Sequence, residues 1–277
     1  MRKSLLLTAV LGALYLPSVS FAEDAAPAAA PAEPASPHTF TYNIGLYSQY
    51  IFRGLTQTAE RPAIQGGVDY SHASGFYVGT WGSNISWLED GGNYKHSSAE
   101  IDLYGGFRNT IGETGIGYDV GLLNYFYPGD KTAAGKAYHG FTDPYTLEAY
   151  AALSYKWVQA KVSYGITDIF GVEDSNGSYY AELNGNIPVG ESGYTINLHY
   201  GRQDYTGKDA SNGGASNDKL YTYNDWKVGV TKSWSNGVNV GAYYTGTDAE
   251  KAGYGKALYS GTDLGADQVT FFVQKTF

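Results

Sequence analysis

Residues 267–277 read DQVTFFVQKTF, and the run alternates. Every second residue from Val269 gives Val269, Phe271, Val273, Lys275 and Phe277; the other set is Gln268, Thr270, Phe272, Gln274 and Thr276. One set is mostly apolar and the other mostly polar, at the two-residue period of a β-strand. Two readings fit this stretch alone. It is either the last strand of a soluble sheet or the closing strand of a barrel in lipid, where Phe277 would be the mark read by the assembly machinery.

Moving outward from it, the same alternation recurs. Phe40, Tyr42, Ile44 and Leu46 oppose Thr41, Asn43, Gly45 and Tyr47. Ile101, Leu103 and Phe107 oppose Glu100, Asp102, Tyr104 and Arg108, while Trp226, Val228 and Val230 oppose Asp225, Lys227 and Thr231. Twelve strands follow, over 40–53, 62–72, 76–87, 99–109, 116–127, 145–155, 157–168, 178–187, 194–204, 223–234, 238–247 and 267–277. The faces of 76–87 do not resolve. Connections alternate strictly, six long and five short, beginning and ending with a long one. Short inner turns, long outer loops and an even strand number belong to an all-β transmembrane antiparallel up-and-down barrel. Both of its ends would then lie on the short-turn, periplasmic side.

An apolar face can point inward, as in a soluble ligand-binding barrel, or outward to lipid. The polar face decides the matter. Charges of both signs recur there at mid-strand, beside Gly and Tyr, as expected of an enclosed lumen. Tyr42, Phe76, Tyr77, Tyr145, Tyr155, Tyr194 and Trp234 stand at strand ends and suit interfacial girdles.

Composition agrees. The chain carries 37 Gly, 27 Tyr, no Cys and 16% charged residues. It opens with basic MRKS, an apolar stretch and small residues around Phe21, the pattern of a signal peptide over 1–22. The Ala/Pro-rich 23–38 reads as a periplasmic linker, leaving 39–277 as the barrel. Net charge is −9, and −11 without Arg2 and Lys3, which disfavours nucleic acid. The expected location is the outer membrane of a Gram-negative bacterium. The expected partners are its lipid and lipopolysaccharide, the barrel-assembly machinery, and small solutes or ions.

Residues 47–85, YSQYIFRGLTQTAERPAIQGGVDYSHASGFYVGTWGSNI, carry a more specific signal. With EIDLYGGF (100–107), YDVGLLNYFYPG (118–129), TLEAYAALSY (146–155) and the QKTF ending, they resemble the TorF family of porins, proteobacterial outer-membrane proteins of the Gcw_chp type. The resemblance covers the whole expected barrel and implies a porin. It carries over no substrate residue.

The lumen candidates are Arg53, Asp69, Glu100, Asp102, Arg108, Asp119, Glu148, Lys161, Glu182, His199, Asp225 and Lys227. Acids outnumber bases among them, so the expected function is passive diffusion of small solutes or ions with a mild cation preference. Arg53 stands at the outer mouth as a gate or selectivity residue, or pairs with Asp69 across the first hairpin. Of His38, His72, His96, His139 and His199, only His199 sits mid-strand on the polar face. A hydrolase built on it needs a nucleophilic Ser and an acid, and no Ser motif is present. A hydrogen-bonded lumen histidine is the simpler reading. VEDSNGS (172–178) and DASNGGASND (209–218) offer oxygen ligands without EF-hand spacing, so solvated turns are expected there. No catalytic residue, cofactor or metal is expected. A closed structural or surface-interaction barrel is the alternative.

Overall fold

The structure, a computed structural model, describes residues 36–133, 135, 142–209 and 213–277. The proposed signal peptide, most of the linker and His139 lie outside these residues.

Among the described residues twelve strands close into one antiparallel barrel. They are β1 (His38–Tyr47), β2 (Ala63–His72), β3 (Phe76–Asn84), β4 (Ala99–Thr110), β5 (Ile116–Phe126) and β6 (Thr146–Tyr155). The circuit continues with β7 (Val158–Gly165), β8 (Tyr179–Pro188), β9 (Tyr194–Asp204), β10 (Tyr223–Ser233), β11 (Val238–Thr247) and β12 (Gln268–Thr276). Each strand pairs with its neighbour in sequence, and β12 closes on β1 with Asn43 opposite Thr276 and Tyr47 opposite Phe272. Closure removes the free edge, so lipid meets no unpaired amide row.

Side chains alternate as the sequence implies. Leu46 (59% exposed), Leu103 (59%) and Phe271 (61%) face out, as do apolar residues on the other strands. A continuous apolar belt of this extent is not the surface of a water-soluble monomer; it is that of an outer-membrane barrel. The short turns gather at one rim with His38, and the long connections gather at the other.

The abundance of Gly and Tyr has a packing cause. Inward glycines make room for inward aromatic rings on neighbouring strands. A methyl on Gly79 would lie 2.5 Å from Tyr104, one on Gly121 2.5 Å from the Tyr150 hydroxyl, and one on Gly241 2.6 Å from Phe272.

Three expected boundaries shift by three residues or more, and others by one or two. β1 stops at Tyr47 rather than 53, because the chain turns into the lumen there. β3 stops at Asn84 rather than 87, and Ile85 and Trp87 join a buried loop cluster. β7 stops at Gly165 rather than 168. The unresolved face of β3 is now clear: Tyr77, Gly79, Trp81 and Ser83 point inward, and Phe76 and Val78 outward. Tyr77 (5% exposed) is therefore a lumen residue, not a girdle residue. Its hydroxyl donates to an inward carboxylate, which an interfacial ring would not find. The other six girdle candidates are exposed on the outer wall.

Candidate functional site

The lumen is the candidate site, and its long-loop half is occupied. Residues 48–62 leave β1, fold inward and return to β2. Ile51–Phe52 pairs with Leu55–Thr56 as a two-residue ribbon. Its tip is Arg53-Gly54, with φ of +45° and +79°. Positive φ at both central positions marks a type I′ hairpin turn. The FRG of the sequence is thus a turn tip inside the barrel rather than the end of a wall strand.

Arg53 reaches the opposite wall. One guanidinium nitrogen donates to Gln203 Oε1 on β9 at 2.7 Å, and the other donates to Glu148 Oε2 on β6 at 2.7 Å and to Tyr125 on β5 at 3.4 Å. The charge also lies 4.3 Å from the Tyr180 ring centre and 4.8 Å from that of Phe52. A planar fork suits several acceptors and a ring face at once. The expected alternative, a pair with Asp69, does not form. Asp69 lies far down β2, opposite Thr41, and accepts from the Tyr104 hydroxyl at 2.6 Å.

Aromatic contacts fix the rest of the hairpin. Tyr50 meets Trp81 edge-on at 5.4 Å and donates to Glu100 Oε1 at 2.6 Å. Phe52 packs edge-on against Tyr125 at 5.6 Å. Asp102 pairs in register with Trp81 on one side and Tyr125 on the other. It is 0% exposed, and neither carboxylate oxygen has a hydrogen-bond partner among the described residues.

From mid-barrel to the short-turn rim the inner wall is polar. Asp119 accepts from Tyr77 at 2.5 Å, and Tyr77 and Tyr150 touch through their hydroxyls. Arg108 lies 4.6 Å over the Tyr77 ring, and Lys161 lies 4.7 Å over Tyr150 and 4.0 Å from Glu182. Lys227 stands 5.5 Å from the Tyr243 ring. Arg108, Asp119, Glu182, His199 and Lys227 are half-buried; Asp69, Glu148, Lys161 and Asp225 are buried. All twelve lumen candidates lie on the inner side, eleven on strands and Arg53 on the inserted hairpin.

His199 is held on every side. Its Nε2 lies 2.9 Å from Asp225 and 2.9 Å from the Tyr180 hydroxyl, and Nδ1 lies 2.7 Å from Asn184 Oδ1. An acid is in reach, but no serine is among its hydrogen-bond partners in the described residues. In VEDSNGS, the Ser175 and Asn176 amides donate to Asp168, and Asp174 accepts from the Lys208 amide, as in ordinary turns. Among the described residues no group of three or more His, Asp or Glu could hold a metal ion.

The sequence reading missed Tyr50, Trp81, Tyr125 and Tyr150 as lumen contacts. One signal was present: Arg-Gly between Ile51-Phe52 and Leu55-Thr56 has the form of a two-residue hairpin loop.

Residues 31–277 match the family described as "Bacterial protein of unknown function (Gcw_chp)". The chain belongs to the Gcw_chp family. Among solved structures, this Gcw_chp barrel is similar to the KdgM porin, with 6% identity and a TM-score of 0.49 over 86% of this chain and 98% of that one. The NanC porin gives 11% identity and 0.47 over 86% and 99%, and OccD3 of Pseudomonas aeruginosa 13% and 0.39 over 89% and 66%. No curated protein matches the chain.

Proposed function

We propose that this Gcw_chp protein is a porin-like channel for passive passage of small solutes or ions, with a mild preference for cations. The observation that carries the reading is the two-sided wall: an apolar outer belt around an inner wall of ionisable and hydroxylated side chains. Outside the enclosed Glu100, Asp102 and Arg53–Glu148 pair, the candidate lumen residues leave the inward acids Asp69, Asp119, Glu182 and Asp225 against the inward bases Arg108, Lys161 and Lys227, plus His199. Fixed charge of that sign favours cations. No covalent chemistry is assigned to His199. The long loops would face the exterior, with both ends of the barrel in the periplasm. An exported precursor, with 1–22 removed, and contact with lipopolysaccharide and the assembly machinery belong to the same proposal.

Planar-bilayer recording tests it. Discrete conductance steps from purified, folded protein, with a reversal potential shifted towards that of the cation in a KCl gradient, are expected. Silence under conditions where a control porin conducts would exclude a channel. A second reading, a closed barrel acting through its loops, draws support from the inserted hairpin that fills the long-loop half. Silence in the bilayer at every voltage would favour it.

A further inference from the structure

We propose that residues 48–62 form a displaceable plug, set by two opposed contributions: the Arg53–Glu148 latch, and the Asp102 carboxyl, sealed without a hydrogen-bond partner while the plug is in. The inference rests on the channel reading and names its gate.

The segment is not part of the wall. It carries its own ribbon, and its tip crosses to β6 and β9. The latch is a short ion pair with both side chains almost fully enclosed. Withdrawing the hairpin breaks it but returns both charges to water, so the exchange is closer to balance than cutting a pair in a rigid core.

Asp102 acts the other way. The rings beside it, Trp81 and Tyr125, are covered by Tyr50 and Phe52 of the plug. A carboxyl group shut in without a hydrogen bond is costly, most of all as an anion. Glu100, on the same face, accepts from Tyr50 and adds a second acid beneath the plug. Lifting Tyr50 and Phe52 would rehydrate Asp102. The closed state therefore contains a term that favours opening, held in check at Arg53.

The two acids make predictions of opposite sign, which general loosening of the lumen does not. The native chain has no cysteine, so a single Leu55→Cys reporter on the plug can be followed with a charged, membrane-impermeant thiol reagent on folded protein in vesicles. Added Glu148→Gln should raise the labelling rate at least about tenfold; Asp102→Asn should lower it by a similar factor. Arg53→Lys, which keeps charge but loses the fork, should raise it less than Glu148→Gln does. Equal shifts in one direction, or none, from the two acid variants would overturn the plug. Conductance of the same samples separates the readings. Opposite labelling shifts without conductance steps would keep the plug and remove the channel. Conductance with unmoved labelling would keep the channel and remove the plug.

Discussion

Arg53, at the tip of the inserted hairpin, meets Glu148 on the β6 wall, Nη2 to Oε2 at 2.7 Å, with side chains only 6% and 2% exposed. They are 95 residues apart in the chain. The pair is the point at which a loop becomes part of the barrel interior. It converts the long-loop mouth of a polar cylinder into a filled, aromatic-lined section.

The pair should behave as one unit. In a rigid interior, deleting either partner would cost about 3–5 kcal/mol, because the other charge stays buried. Here the hairpin can withdraw and rehydrate the survivor, so a smaller loss is expected. The Arg53→Ala/Glu148→Ala double variant should lie within about 1 kcal/mol of either single variant. Urea unfolding in lipid vesicles measures this; additive losses would show that the two side chains act independently.

Inward glycines should resist even a methyl group. Gly121→Ala meets the Tyr150 hydroxyl at 2.5 Å and the Gly105 carbonyl at 2.6 Å; Gly201→Ala meets Tyr180 and an Asp225 oxygen. Each should lose about 1–3 kcal/mol despite the entropic gain of replacing Gly in a strand. At Gly185 a methyl would find only Leu198 Cβ, at 3.7 Å, so Gly185→Ala should be neutral or slightly stabilising. The same unfolding midpoints check all three.

The barrel was legible because lipid enforces alternation on every strand: a one-residue slip would turn a whole face the wrong way. That is why all twelve strands, and the inward side of the eleven candidates that lie on them, could be read locally. What escaped was non-local. Ile51-Phe52 looks like more of β1, since a hairpin inside the lumen uses the same residue types as a strand in the wall. Tyr77 and Trp81 blurred β3 because an aromatic ring suits either lipid or a lumen lined by glycine. Nothing near Arg53 in sequence selects Glu148 over Asp69; only closure of the barrel brings β6 opposite the β1–β2 connection.

Ion preference should follow the half-buried charges of the inner wall, from Lys227 at mid-barrel to Asp119 near the short-turn rim. Lys227→Glu adds two negative units to a wall already rich in acids and should raise the cation-to-anion permeability ratio by about twofold or more. Asp119→Asn should lower it while leaving the Tyr77 hydroxyl an acceptor. Reversal potentials in a KCl gradient give the ratio directly. Identical potentials in the native protein and both variants would place the ion path elsewhere.

Lys227 and Val228 are adjacent on β10 and occupy different solvents, one half-buried in the lumen and the other 54% exposed on the outer wall. A lysine tolerated at 227 should therefore be poorly tolerated one residue on. Val228→Lys places an ammonium near the middle of a strand on the lipid side, at a cost of about 2–4 kcal/mol in a bilayer. Val228→Leu, which keeps the apolar contact, should cost less than about 1 kcal/mol. The contrast should shrink in detergent solutions that let water reach the belt. Folding yield and unfolding midpoint in vesicles would test it; a Val228→Lys protein as stable as Val228→Leu would mean that this wall does not face lipid.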